Sequence, residues 1–386
     1  MDFERMCAMP NEKVTIHQAT FSIMLFSFGS SVILGISTKA NQDVWISILL
    51  AAVLAIPVLL IYARIISLFP EKNLYAISEI LFGKIIGKIV SVLMMWYSIH
   101  LAALVLRNFA EFIQVFDMPE TPQLAIMILI TVSTTYLARS GMRAIGKWSV
   151  VAVCFVCFVV LFTFGTSIHQ MNASNLLPLI ESSPAQIAKE SFAILAFPYA
   201  ESVIFLCLAD SFQKQDSPYK MFFYSLGLIV VVFLLVFMRN LMLLGRAMME
   251  LSYYPSYIAV RVIGIGDFFA RIESSISSNF ILAGIVKISA CLLAAGKGIA
   301  QVFGVKTHRT LILPMGMCTL ALCAILFKST MEMFAFIDYY LYYAAPFQII
   351  IPLIIWIGAE RYTRKQEEKG ASTASVDAPL GKEPCS

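Results

Sequence analysis

Charge is scarce in this sequence. Asp, Glu, Lys and Arg make up only 13% of its 386 residues, and there are four histidines. A water-soluble domain carries about 25% charged residues. A chain this poor in charge, 59% hydrophobic and with a mean hydropathy of +0.82, belongs inside a membrane. The net charge of +4 is small and dispersed, with no basic run to track a nucleic-acid backbone. Cysteine offers no disulfide framework. Cys154, Cys157, Cys207, Cys291, Cys318 and Cys323 all fall in apolar segments, where they read as small packing residues. The CxxC spacing of Cys154 and Cys157 is a poor metal or redox signal in that setting. Enzyme and cofactor motifs are missing too. "AAGKGIA" lacks the Walker spacing and its Ser/Thr, "GIGDFF" lacks the third glycine, and no nucleophile–base–acid set is present. The N-terminus is polar for about fifteen residues, and the first apolar span has no small-residue cleavage site, so no signal peptide is expected.

Long hydrophobic runs are what the chain does have. Stretches of about 20 apolar residues suit a bilayer crossing, and ten are expected: 16–36, 44–63, 88–113, 122–138, 145–168, 186–208, 219–242, 275–300, 309–327 and 334–358. Basic residues then orient the bundle. Lys13, Arg64, Lys72, Lys84, Lys88, Arg139, Arg143, Lys147, Lys214, Lys220, Lys306 and Arg309 gather with both termini on one face, against few on the other. Both termini are therefore expected in the cytoplasm. On the outer side, residues 243–273 are too interrupted to span and too apolar for a plain linker. They suggest short helices over the outer mouth, broken at Pro255 and at Gly264–Gly266, either as a lid or as an interfacial element. The segment 361–386 is polar and expected to be disordered.

Ten spans divide into halves at 16–168 and 186–358. Inverted-repeat transporters carry interrupted helices at matching positions of the two halves. The first span holds "SFGSSVILGI", Ser27–Ile36, about midway. The first span of the second half holds "AFPYAES", where Pro198 removes an amide donor and Glu201 brings a carboxyl group to hydrocarbon depth. Ser27, Ser31 and Gly35 also fit the small-xxx-small pattern of close helix packing. The coincidence of the two interruptions favours two broken helices facing one cavity. Their exposed ends would aim N–H groups at a carboxylate and carbonyls at an amine or cation.

These features, with "FPYAESVIFL" in the sixth span and "GDFFARIES" before the eighth, resemble the B subunit of endospore germinant receptors, in the amino acid/polyamine/organocation superfamily. The resemblance spans residues 13–362. It implies an all-α, LeuT-like 5+5 inverted repeat with broken first and sixth helices, in the spore inner membrane. It also implies A-type and C-type partner subunits and a small germinant, commonly an amino acid. The expected role is a ligand sensor. A proton-coupled amino-acid permease and a ligand-gated conductor of water or ions are the alternatives.

Candidate ligand-binding positions follow. Gly29, Ser30 and Ser31 lie at the first interruption, and Phe197, Tyr199, Ala200 and Glu201 at the second. Tyr97 and Leu101 share a face of the third span, which lines the cavity in LeuT-like folds; Tyr97 is then a ligand contact or a core tyrosine. Lys287, with Ile288 and Cys291 beside it, lies mid-way along the eighth span. A charge there costs about 2.5–3.5 kcal/mol on insertion scales unless it faces a cavity or a partner. Lys287 is expected to donate to Glu201, or to carbonyls freed around Ser30–Ile33, where sodium-coupled relatives of this fold bridge the first and eighth spans with a sodium ion. His100 reads as a packed histidine, and Arg107 and Glu111, four apart, as an ion pair.

Overall fold

A computed structural model describes residues 13–34, 41–178, 180–262 and 272–376. The described chain is helical, apart from one parallel bridge between Val14 and Phe212. Twelve α-helices follow in order. They are α1 (Ile16–Leu34), α2 (Val44–Leu68), α3 (Leu74–Phe116), α4 (Gln123–Arg139), α5 (Met142–Ser167) and α6 (Pro184–Ile194), then α7 (Pro218–Leu251), α8 (Pro255–Val262), α9 (Ile272–Phe303), α10 (Arg309–Leu326), α11 (Thr330–Ala345) and α12 (Ile351–Val376). Among the described residues, seven helices are long and apolar enough to cross a membrane. The chain is a multi-pass membrane protein.

Side-chain size decides which helix is central. Along α9, 83% of the most apolar stretch is buried, against 22% for Thr330–Glu368. Glycines make this possible. A Cβ on Gly284 would stand 2.5 Å from the Phe109 ring, and one on Gly298 would stand 2.9 Å from Tyr75, so α3 and α9 meet at distances only glycine permits. Tyr75 completes that seam by donating to the Ala294 carbonyl at 2.9 Å. α1 packs against α9, α7 and α5.

Three expectations are revised. α1 runs from Ile16 to Leu34 without interruption through Gly29–Ser31, so the first helix is not broken there. Its small residues serve the other purpose: a Cβ on Gly29 would lie 3.5 Å from the Ala283 backbone and 3.6 Å from Lys287 Cδ. The small face lets α9 and its lysine pass close by. The third helix begins earlier than position 88 and turns a corner at Gly83, whose φ of 77° is open to glycine at little cost. The polar tail stays helical to Val376, where disorder was expected from 361.

The outer segment is partly as expected. α7 continues past a bend at Gly245 (φ 68°), and Pro255 opens α8. The expected turn at Gly264–Gly266 lies outside the described residues. Tyr254 and Tyr257 point inward, with rings 5.3 and 4.2 Å from Phe116, whereas Tyr253 is half exposed. Beside this region, Asp43 accepts the amide N–H groups of Ile180 and Ser182, both at 2.8 Å, and so ties the loop before α2 to the one before α6. Burial alone would raise the Asp43 carboxyl's pKa, but these backbone donors outweigh it and hold it below the ordinary carboxylate range.

At the opposite end the chain entry is fastened. Val14 N–H donates to Ser211 O at 2.9 Å. Lys13 donates to the carbonyls of Asp210 and Phe212 at 3.0 and 3.2 Å and to Glu71 at 3.0 Å. Lys297 of α9 reaches Asp210 at 2.6 Å and Ser211 at 2.8 Å.

Candidate functional site

The sixth helix is broken where Pro198 falls. α6 ends at Ile194, a wide π-turn covers Leu195–Tyr199, and a tight 3-10 segment, Ala200–Leu206, follows. Phe197 is extended, with φ −134° and ψ 103°. Backbone groups freed at this depth have no water to turn to, and side chains of neighbouring helices and of the segment itself supply the partners. Gln348 donates its amide to Ala196 O at 2.9 Å, Tyr62 of α2 donates to Ala200 O at 3.2 Å, and Ser202 donates to Tyr199 O at 2.8 Å.

Glu201, fully buried just past the break, is the centre of a polar network. Lys287 of α9 forms an ion pair with one carboxylate oxygen and donates to Ser30 Oγ of α1 at 2.9 Å. Tyr340 of α11 donates to the other carboxylate oxygen at 2.6 Å. Tyr97 stands 3.2 Å from Tyr340 hydroxyl to hydroxyl, and accepts from Gln348 at 2.9 Å. The ammonium also lies 5.1 Å from the Phe26 ring centre and 5.2 Å from that of Phe197, within cation–π range. A buried pair is tolerable when further hydrogen bonds use its remaining lone pairs and protons, and both partners meet that condition. Lys287 finds its oxygens in a hydroxyl and a carboxylate; continuous α1 offers no freed carbonyls around Ser30–Ile33.

Beside this network is a narrow cavity of about 30 Å³. Ser30, Asn108, Glu201 and Tyr340 give it polarity; Leu101, Leu104, Phe197 and Phe336 are among its apolar walls. That is room for a water or two, so a larger guest requires the walls to move. Above the cavity, Arg107 and Glu111 pair at 3.3 Å, and Glu111 also accepts from Gln123 at 2.6 Å and from Thr330. One carboxylate thus joins α3, the start of α4 and the start of α11.

The expected residues divide. Ser30, Leu101, Phe197 and Glu201 line the cavity; Lys287 reaches it through Glu201, and Tyr97 through Tyr340. Gly29 is at the α1–α9 crossing behind them. Others point elsewhere. Ser31 donates back to Ser27 O at 3.1 Å and faces a void beside Asn240 and Ser256. Tyr199 stacks on Phe233 at 6.1 Å, beside a small void shared with Ser27, Ser202 and Ser225. Ala200 contributes only its carbonyl to Tyr62, and Ile288 and Cys291 are buried on α9 away from the cavity walls. His100 is packed among Trp96, Tyr343 and Phe336. Tyr62, Asn108, Tyr340 and Gln348 were not anticipated. Gln348 alone carried a signal, an amide two residues after Pro346 in the apolar run "AAPFQII".

Comparison with known proteins agrees with this architecture. Residues 13–332 match the spore germination protein family known as spore permeases. Spore germination protein KB of Bacillus subtilis (strain 168) is 23% identical over 372 residues, covering 94% of this chain and 99% of its own. Spore germination protein YndE of the same organism is 24% identical over 302 residues, covering 76% and 82%. Among solved structures, the nucleobase-cation-symport-1 family transporter Mhp1, closed with bromovinylhydantoin bound, superposes with a TM-score of 0.69 at 11% identity, over 89% of this chain and 78% of its own. MhsT in complex with L-phenylalanine gives a TM-score of 0.67 at 11% identity, over 90% and 89%. The fold is that of LeuT-like transporters.

Proposed function

The chain belongs to the spore germination protein family, and on that premise we propose that it is the germinant-sensing membrane subunit of a spore germination receptor. In this reading ten spans are arranged as 16–168 and 186–358, the basic residues on one face keep both termini in the cytoplasm, and the family resemblance implies the spore inner membrane with A-type and C-type subunits as partners. The ligand is a small molecule, an amino acid by preference. It enters between α1, α3, α9, α11 and the broken sixth helix.

The observation that carries this reading is Lys287 closing on Glu201 and Ser30 at the helix break, against a cavity with apolar walls. Relatives in fold are described with L-phenylalanine or a hydantoin bound. A ligand ammonium can engage Glu201 only by displacing Lys287, which transfers the binding event to α9. The ligand's apolar part meets Leu101, Phe197 and Phe336. Another fold relative is described as a Na+-coupled sialic acid symporter; here a side-chain ammonium links α1 to α9, so sodium is not required.

The test sets binding of labelled amino acids to purified protein beside their uptake into proteoliposomes, in sodium and in potassium. Saturable binding in both salts without accumulation supports a sensor. A strict sodium requirement overturns the reading. The same buried pair favours a second one, a proton-coupled permease, because ligand exchange at Glu201 can be accompanied by proton release. Accumulation driven by a pH gradient would select it, and a ligand-triggered flux of water or ions would select a conductor.

A further inference from the structure

A second cavity lies at the end of the bundle where Lys13 fastens the chain entry, and it shares no lining residue with the one at Glu201. The starts of α1 and α7 and the end of α2 enclose it. Val14, Ile66, Phe212 and Met221 are buried and form apolar walls, with Ile16 and Pro218 half-buried beside them. A polar mouth bounded by Lys13, Glu71, Gln213, Lys214 and Gln215 adjoins it. The volume is about 310 Å³, against about 30 Å³ at Glu201. That is the lower end of the range for small-molecule sites, so an organic guest fits without any wall moving.

Three charged side chains line this cavity: Glu71, Lys214 and Asp216. Glu71 is already engaged. Lys13 donates to it at 3.0 Å and pulls its carboxyl below the ordinary carboxylate range, with a smaller pull from Lys214. Lys214 and Asp216, two residues apart, make no side-chain hydrogen bond or ion pair among the described residues. One ammonium and one carboxylate left unjoined beside apolar walls complement a zwitterion that carries an apolar group. We infer that this cavity is a second binding site, for a free α-amino acid with an apolar side chain. Lys214 takes the ligand carboxylate, Asp216 takes its ammonium, and the side chain lies against Ile66, Phe212 and Met221. Exposed charges alone bind weakly, so the apolar contact carries the affinity and the two charges carry the selectivity. The occupant touches α1, α2 and α7 beside the clasp that Lys13 and Val14 make on Asp210–Phe212, and steadies that clasp. The inference rests on the proposed function only for the face, cytoplasmic, from which the site is filled.

The experiment follows maleimide labelling of Ser67→Cys in the purified full-length protein, read at that position by mass spectrometry. Ser67 is an exposed lining residue whose hydroxyl bonds only within its own helix, to Arg64 O at 2.8 Å. The probes are L-alanine, L-valine, L-leucine and L-phenylalanine. Labelling about tenfold slower at a tenfold excess of a probe over Kd establishes the site, provided that adding Lys214→Gln or Asp216→Asn restores the unliganded rate and adding Glu201→Gln does not. Ser30→Ala is the second central variant should Glu201→Gln not accumulate. L-phenylalaninamide lacks the carboxylate and N-acetyl-L-phenylalanine lacks the ammonium; protection by either as strong as by L-phenylalanine overturns the zwitterion assignment. Protection lost in the central variants shows that the cysteine reports on Glu201, and overturns the proposal. Absence of protection by all four probes also overturns it, and leaves the sensor reading standing wherever the same protein still binds one of them.

Discussion

Lys287 and Arg239 are both buried cations in one helical bundle, and their surroundings are opposite. Lys287 meets a carboxylate, a hydroxyl and two aromatic faces. Arg239 meets an amide and a hydroxyl. The difference shows what each region is organised around. The centre is internally neutralised, so a ligand has to compete with a side chain already in place. At the α7–α8 junction the guanidinium is held by neutral acceptors alone, which satisfy its N–H groups without cancelling its charge.

The same type of substitution should therefore act unequally in the two places. Lys287→Met leaves Glu201 buried with the Tyr340 hydroxyl but no cation, and removing one partner of a buried pair costs about 3–5 kcal/mol. Lys287→Met with Glu201→Gln should recover a large part of that loss, because no charge then remains unmatched. Arg239→Met removes a charge with no carboxylate partner among the described residues as well as its hydrogen bonds, and should cost roughly 1–2 kcal/mol. Thermal unfolding of the four proteins measures this. Equal costs for the two single variants, or a double variant no more stable than Lys287→Met, would erase the distinction.

The next effect sharpens the central half of the comparison. Gly29→Ala places a Cβ in ordinary contact with Ala283 and Lys287 and gains helix propensity of about 1 kcal/mol. Gly29→Leu must push into the path of the Lys287 stem and should cost roughly 1–3 kcal/mol by overpacking. Ligand response is expected to survive the first and fail in the second at normal abundance. Failure in both would mean that the Gly29 backbone itself is needed, as an open helix would require.

How much of this was legible depends on what kind of signal each residue carries alone. Lys287, Glu201 and Pro198 stand out because charge and a missing amide are anomalous in an apolar run wherever the helix is placed. The Gly/Ser face of α1 is ambiguous for a physical reason. Small side chains suit both a broken helix and a close crossing, and only the position of Ala283 against Gly29 decides between them. Tyr62 and Tyr340 gave no warning, since tyrosines are ordinary in apolar spans and these two matter only through the helices they meet. Arg239 falls at the end of an apolar stretch where arginines commonly mark the membrane edge. Its isolation becomes visible once α5 and α8 close around it.

The smallest effect probes the loops near Asp43, where a buried anion is matched by backbone donors instead of a cation. Its carboxylate is stabilised in the folded state, so its pKa is lower there than in the unfolded chain. The unfolded state then binds the proton more readily as pH falls. The stabilisation is fully present above the ordinary aspartate value of about 4 and is lost as pH drops through the lower folded value. Asp43→Asn keeps one carbonyl acceptor for the N–H groups of Ile180 and Ser182. It should cost about 1 kcal/mol at neutral pH and remove this part of the acid dependence. Unfolding midpoints of wild type and Asp43→Asn should converge as pH falls below 4, and parallel curves across that range would show that the loop clamp does not depend on the charge.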